Sequence, residues 1–212
     1  MKKQRRFIMN QDLTEIVFIL DRSGSMSGLE NDTIGGFNGF VKNQAALGQT
    51  NLTTVLFDDR YEILHNGIDA RGVAITSDEY FTRGNTALLD AIGKTIEDVG
   101  KRLSETPEDQ RPGKVIFVIT TDGLENASRT FSYHEVKKMI THQTEKYKWE
   151  FIFMGANIDV AAEGERLGIG AGRSYGWTST GAGIATMYNE LNAYSSGLRT
   201  PRPSTPKKKK KP

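Results

Sequence analysis

The sequence predicts an α/β fold in which helices cover both faces of a mostly parallel, six-stranded sheet. Between residues 12 and 196, short runs rich in β-branched and aromatic residues alternate with longer stretches of helical periodicity, as in βαβ units. The run KVIFVIT at 114–120 is almost continuously apolar, which is typical of a strand buried on both faces. The segment FDDRYEILHNG at 57–67 is too short to hold a crossover helix, so one strand should be antiparallel and lie at the edge.

Each element follows from its own local pattern. Strands are predicted at runs of β-forming residues, and these are 14–20, 52–58, a short third strand within 61–70 with HNG as its turn, 114–120, 149–156 and 173–178. Helices are predicted where apolar residues recur at spacings of three and four, and these are 29–46, a helix tracing Leu88, Ala91, Ile92, Ile96 and Val99, a helix around 136–143, a short helix around 159–167 and a last helix around 181–194, with Thr180 as its candidate cap.

Composition excludes several classes of protein. The chain has 212 residues, 37% hydrophobic and 25% charged, which suits one globular domain with a sizeable core. It has no cysteine, which excludes disulfides, thiolate metal sites and cysteine nucleophiles. No apolar run approaches the roughly 18 residues of a membrane-spanning helix. The basic N-terminus MKKQRRFIMN is followed by only a short apolar run and no cleavage site, so we expect a cytoplasmic protein.

Charge is distributed unevenly along the chain. Residues 1–10 carry four Lys and Arg, residues 199–212 carry seven, and neither segment carries an acidic residue. The formal net charge of +2 therefore hides a net charge of −9 between residues 11 and 198. The C-terminal RTPRPSTPKKKKKP has four prolines, a lysine block and no large apolar residue, so we expect it to be disordered.

These contrasts divide the chain into three predicted regions: a basic N-terminal extension at 1–11, a folded domain at 12–196 and a disordered basic tail rich in Pro and Lys at 197–212. Two interpretations of the tail stay open. It is either a solubilising end or an electrostatic tether to an acidic surface such as nucleic acid, lipid or protein. Met9 is a candidate internal start, because the patterned sequence begins just after it.

Two of the predicted strands end on an aspartate. FILD ends on Asp21 and is followed by Ser23 and Ser25 at alternate positions, and FVITTDG carries Asp122 where its apolar strand leaves the core. In an open sheet, ligands bind at the carboxyl ends of the strands, where the strand order reverses. If the two strands are neighbours there, both carboxylates face one crevice. Thr86 lies just before a helix, so its hydroxyl either caps that helix or points into the crevice.

The candidate ligands share one type of contacting atom, oxygen, and they are Asp21, Ser23, Ser25, Thr86 and Asp122. Such a set suits a hard divalent cation, most simply Mg²⁺, with Mn²⁺ or Ca²⁺ as alternatives. Two carboxylates balance the charge of the ion, and the hydroxyls add no charge. An open coordination position would therefore favour a further anion from outside, such as an acidic side chain of a partner protein.

Together DRSGSM, the glycine-flanked stretch around Thr86 and TTDG resemble the metal-ion-dependent adhesion site (MIDAS) of the von Willebrand factor type A (vWA) domain family. The resemblance covers roughly residues 12–196. It implies a Rossmann-like, doubly wound fold and a role in protein–protein interaction. It also implies direct metal contacts from Ser23 and Ser25, contact from Thr86 in the ligand-bound form, and contacts through water from the two aspartates. Small stand-alone members of this kind resemble bacterial cytoplasmic vWA proteins.

Other functional classes are less consistent with the sequence. A Mg²⁺-dependent phosphohydrolase using a phosphoaspartate would need a general acid where Ser23 lies. Nucleic-acid binding would depend on the tail alone, against an acidic body. Asp58 and Asp59 could form a second acidic site, although a turn fits them better. The three histidines show no metal-ligand spacing, and the glycines of GIGAGRSYG lie too late in the chain for a dinucleotide fingerprint. We therefore predict a binding module and not an enzyme.

Overall fold

A computed structural model of the chain describes residues 9–199. Its strands are β1 (Asn10–Asp21), β2 (Thr50–Phe57), β3 (Tyr61–Asp69), β4 (Pro112–Thr121), β5 (Glu150–Ala156) and β6 (Ser174–Trp177). Its α-helices are α1 (Glu30–Ala46), α2 (Leu88–Glu105), α3 (Tyr133–Tyr147), α4 (Val160–Leu167) and α5 (Gly181–Arg199). Every element predicted from the sequence is present within this range, with ends that differ by a few residues.

The sheet has the strand order β3-β2-β1-β4-β5-β6. All neighbouring strands pair in parallel except β2 and β3, which are antiparallel and place β3 at the edge. From β1 the chain moves outward to β2 and β3, then returns to β4 on the other side of β1 and continues to β5 and β6. The strand order therefore reverses between β1 and β4, which is where an α/β sheet opens a crevice.

Two apolar cores lie on opposite faces of the sheet, because side chains of a strand point alternately to its two sides. On β1, Val17 and Ile19 pack with residues of α2, α3 and α4, whereas Phe18 and Leu20 pack with residues of α1 and α5. Strand β4 follows the same alternation, with Phe117 on the first face. Both central strands are thus fixed from both sides, and so are the points at which they end.

The predicted turn at HNG is wrong. Strand β3 continues through these residues to Asp69, and its pairing with β2 shifts register twice. Gly67 has a positive φ of 66°, a conformation that glycine adopts readily, and its N–H donates to Thr53 Oγ1 at 2.9 Å. The Asn66–Gly67 pair therefore forms an irregularity inside the edge strand, where a bulge accommodates the extra residue without ending it.

The two ends of the described range extend beyond the predicted domain limits. Strand β1 begins at Asn10, and α5 ends at Arg199. Arg199 Nη1 donates to the Gln44 carbonyl at 2.7 Å, and its Nη2 donates to Thr50 Oγ1 at 2.9 Å. The last turn of α5 is therefore attached to the domain. The first eight residues lie outside the described residues, and so does the remainder of the C-terminal tail with its predicted disorder.

Candidate metal centre

Asp21 ends β1 in a fully buried position beside β4. One carboxylate oxygen accepts the Ser23 N–H at 2.6 Å, and the other accepts the Thr121 hydroxyl at 2.6 Å. The hydroxyl of the buried Tyr80 donates to the Asp21 carbonyl at 2.7 Å. These bonds fix the direction in which the chain leaves the strand. The donors to the Asp21 carboxylate are both neutral, a backbone N–H and a hydroxyl.

A short 3-10 turn at Gly24–Met26 brings the two serines together. The Ser23 and Ser25 hydroxyl oxygens lie 3.0 Å apart, and Ser25 donates to Asp122 Oδ1. Gly24 N–H donates to the Gly84 carbonyl at 3.1 Å, so this turn also contacts the loop that carries Thr86. The serines therefore connect the end of β1 to the end of β4, as the strand order requires.

Thr86 lies on the loop before α2 and is buried. A methyl group placed on the Gly123 Cα would lie 3.6 Å from Ser25 Oγ and 3.9 Å from Thr86 Oγ1, so both hydroxyls face the same backbone position. The amides of Leu89 and Asp90 in the first turn of α2 donate to Glu125 and Ser128, respectively. Thr86 is thus directed to the crevice, and the helix receives its caps from another loop.

Asp122 is the second buried carboxylate of the crevice. Besides Ser25, the Ser179 hydroxyl approaches its Oδ2 at 3.4 Å, and Asn157 Nδ2 donates to its carbonyl at 3.3 Å. Asn157 adopts the left-handed region with a φ of 58° in the loop after β5. Ser179, which the sequence analysis did not single out, comes from the loop after β6. The only sequence signal for it is a hydroxyl-rich run, WTST, that follows a strand.

All five predicted site residues therefore meet at the carboxyl ends of β1 and β4, on three separate loops. Burial raises the pKa of Asp21 to about 6, and the nearby Asp122 carboxylate adds to this, against the hydrogen bonds from Thr121 and Ser23. A divalent cation between these two buried carboxylates would stabilise their charged forms. The oxygen-only donor set, with two carboxylates and three hydroxyls, fits a hard cation.

A second charged cluster lies beside the crevice, and it contains the largest fully buried side chain, Arg22. Arg22 Nε pairs with Asp58 Oδ2 at 3.0 Å, and Arg83 Nε pairs with the same oxygen at 2.7 Å. Arg22 Nη2 reaches Glu62 at 2.6 Å. The exposed Phe81 ring lies 5.5 Å from the Arg22 guanidinium and 5.2 Å from that of Arg83.

This cluster changes the interpretation of Asp58. Its carboxylate is neutralised by two arginines, and its Oδ1 accepts the Arg60 N–H at 2.7 Å. Burial raises the pKa of Asp58, but the hydrogen bonds from Arg83 and Arg60 and the two positive charges outweigh it, so the net shift is downward. Asp58 is therefore an ion-pair centre that joins the loops around the crevice, and it is not part of a second acidic metal site.

The other sequence motifs do not form a centre of this kind. Between residues 9 and 199, no three His, Cys, Asp or Glu side chains come together as metal ligands would. Gly168 ends α4 in the left-handed conformation, Gly170 and Gly172 lie in a short turn before β6, and Gly176 lies in β6. Trp149 is buried and stacks on Phe117, as expected of a packing residue.

The architecture has clear counterparts among solved structures. The chain is similar to the vWF domain of the type V pili tip protein Mfa5 from Porphyromonas gingivalis, with a TM-score of 0.64 and 9% identity over 92% of this chain and 99% of that chain. It is similar to the PilB minor pilin from Streptococcus sanguinis, with a TM-score of 0.63 and 12% identity over 90% of this chain and 63% of that one.

A third similar structure is that of proximal thread matrix protein 1 from the mussel byssus with a zinc-occupied MIDAS motif. Its TM-score is 0.58 at 16% identity, over 88% of this chain and 46% of that chain, so this chain spans less than half of it. At these identities the likeness concerns the fold, which is the Rossmann-like fold of a vWA domain. No family model and no curated protein sequence matches the chain.

None of the helices between residues 9 and 199 has both the length and the apolarity that crossing a membrane requires.

Proposed function

We propose that this chain is a metal-dependent protein-binding module whose metal ligands are Asp21, Ser23, Ser25, Thr86 and Asp122. The observation that supports this most strongly is the convergence of the five side chains on one crevice at the switch point of a vWA fold. Both carboxylates are buried and accept hydrogen bonds from neutral groups. A buried pair of this kind is costly without a cation.

Mg²⁺ is the metal that the donor set favours, because it prefers oxygen ligands and retains some of its waters. Mn²⁺ and Ca²⁺ accept the same ligands. The mussel protein with zinc in its MIDAS motif supports a divalent ion at the switch point of this fold. When bound, the ion supplies an electrophilic position that an anion can reach from solvent. Ser25 is the exposed member of the ligand set and lies on the open side of the crevice.

The partner group that we propose for this position is an aspartate or glutamate side chain of another protein. Two carboxylates neutralise the ion, and three hydroxyls leave it able to attract a further anion. The net charge of −9 between residues 11 and 198 repels a carboxylate when no metal is present. Binding should therefore depend strongly on the ion, and the module would act by recognition, without catalysis.

The finer assignments are proposals as well. We propose that the protein is a small stand-alone, cytoplasmic vWA protein of the bacterial kind that DRSGSM and TTDG resemble. The lysine tail at 197–212 would then add salt-sensitive attraction to an acidic surface. Deleting the part of it after Arg199 should weaken only such salt-sensitive contacts.

Calorimetry with Mg²⁺ and Mn²⁺ tests the metal site. We expect one site in the wild type and none after Asp21→Ala with Asp122→Ala. The matched control is Asp69→Ala with Asp109→Ala, which removes two exposed aspartates at the opposite end of the sheet, near the starts of β2 and β4. If the crevice variant binds metal as well as the control, the proposed ligands are wrong.

The partner is tested by capture from cell extract in Mg²⁺ and in EDTA, with wild type and Thr86→Ala side by side. We expect a protein that binds wild type in Mg²⁺ only, binds Thr86→Ala poorly and loses binding when one of its own Asp or Glu residues becomes Ala. A captured protein that binds equally well in EDTA and to Thr86→Ala would show that docking does not use the crevice.

A further inference from the structure

Asn126 holds the backbone of Thr86 at two points. Thr86 N–H donates to Asn126 Oδ1 at 2.9 Å, and Asn126 N–H donates to the Thr86 carbonyl at 3.0 Å. Both backbone groups of one proposed ligand are therefore paired with a single residue. That residue lies four positions after Asp122, on the loop that carries another proposed ligand.

The side chains of Glu125 and Ser128, on the same loop, bond to α2 and not to Thr86. Glu125 accepts the Leu89 N–H at 2.9 Å, and Ser128 Oγ accepts the Asp90 N–H at 3.0 Å. In return the Asp90 carboxylate accepts the N–H groups of residues 129–131. These bonds attach the loop to the first turn of the helix, whereas Asn126 reaches the residue that faces the crevice.

We infer that Asn126 is a positioning residue that sets the distance between the Thr86 hydroxyl and the ligands on the β1 and β4 loops. This role rests on the proposed function, in which Thr86 is a metal ligand. Asn126 itself is exposed, so its side chain fills no core. Removing its amide group releases the Thr86 N–H without opening a cavity, and the position of the Thr86 hydroxyl then becomes less restricted.

The expected effect is a loss of metal affinity with little loss of fold. Asn126→Ala removes one of the two bonds to Thr86 and keeps the other, which is backbone to backbone. Losing one hydrogen bond that orders a ligand should weaken Mn²⁺ binding about five- to tenfold. In the same variant the Thr86 amide should exchange its hydrogen faster, because its acceptor is gone.

Ser128→Ala is the matched control, since it removes a hydroxyl from the same loop that bonds to α2 and not to Thr86. We expect it to lower the unfolding midpoint slightly and to leave both Mn²⁺ affinity and Thr86 amide exchange unchanged. Full-length wild type, both single variants, Thr86→Ala and the double variant Thr86→Ala with Asn126→Ala are titrated with Mn²⁺ and monitored by water proton relaxation. Amide exchange is followed by NMR on the same samples.

The double variant distinguishes positioning from general loosening. If Asn126 acts through Thr86, adding Asn126→Ala to Thr86→Ala should not weaken Mn²⁺ binding further. Additive losses, or equal losses in Asn126→Ala and Ser128→Ala, would overturn the inference. If Thr86→Ala weakens binding and Asn126→Ala does not, the positioning role alone is wrong. If Thr86→Ala binds Mn²⁺ like wild type, Thr86 does not contact the ion before a partner carboxylate binds, and the inference is overturned while the other four proposed ligands still stand.

Discussion

Replacing Asp58 with alanine should lower the stability of the domain far more than expected for a residue on the loop after β2. The change leaves Arg22 with its guanidinium buried and without its one fully buried carboxylate partner. Its other partner, Glu62, has a side chain that is 51% exposed and cannot replace a buried anion. Arg83 is less affected, because its side chain is 33% exposed and can turn toward water.

The size of the destabilisation follows from the one buried charge of Arg22 that loses its buried partner. Removing one partner of a buried ion pair costs about 3–5 kcal/mol, mostly because the other charge is left uncompensated. For a domain of this size each kcal/mol lowers the melting temperature by about 2–4 °C, so the expected fall is roughly 6–20 °C. Urea unfolding followed by far-UV circular dichroism gives the free energy of unfolding directly, and a thermal scan gives the midpoint.

Two further variants make the prediction refutable. Asp69→Ala breaks an ion pair with Arg71 in which both side chains are mostly exposed, so it should leave the midpoint unchanged. Arg22→Met combined with Asp58→Ala removes both buried charges and should recover most of the loss. If Asp58→Ala is as stable as Asp69→Ala, or if the double variant is less stable than Asp58→Ala, the buried pair does not have the role assigned to it.

Three other outcomes are expected. EDTA should leave the far-UV circular dichroism of the wild type nearly unchanged, because the five proposed ligands lie at the ends of elements whose cores are apolar; unfolding in EDTA would contradict this. The pKa of Asp58 is depressed in the folded state. Its contribution to stability is therefore fully present above the unfolded-state pKa of about 4 and is lost as the pH falls through the folded-state pKa. The difference in stability between wild type and Asp58→Asn should be constant from pH 5 to 7 and shrink below about pH 4. Removing residues 200–212 should change the stability by less than about 1 kcal/mol, whereas Arg199→Ala should lower it through the lost bonds to Gln44 and Thr50.

The strands and their order could be predicted because local patterns determine them. Apolar runs of strand length mark the buried strands, and the short link after β2 is compatible only with an antiparallel neighbour. The meeting of Asp21 with Asp122 then follows from topology, since both end strands that flank the switch point. Thr86 had two interpretations that the sequence could not separate. Its place in the crevice depends on caps that Glu125 and Ser128 provide from a distant loop.

No local sequence pattern indicates the contacts between loops, so these could not be predicted. Arg22 lies within DRSGSM, where its charge alone would suggest exposure to solvent, yet it is buried because Asp58, just after the neighbouring strand β2, pairs with it. Ser179 and Asn126 act through loops far from their partners in sequence. The HNG turn was wrongly predicted because Gly67 supports a bulge as readily as a turn. Only its pairing with β2 distinguishes the two.

A crystal structure with Mn²⁺, examined by anomalous scattering, would locate the metal site. We expect one strong anomalous peak in the crevice between the ends of β1 and β4, within coordination distance of the Ser23 and Ser25 hydroxyls and close to Thr86. The peak should disappear in Asp21→Ala with Asp122→Ala. A crevice without a peak in wild-type crystals, or a metal bound only by other residues, would show that the proposed metal centre is wrong.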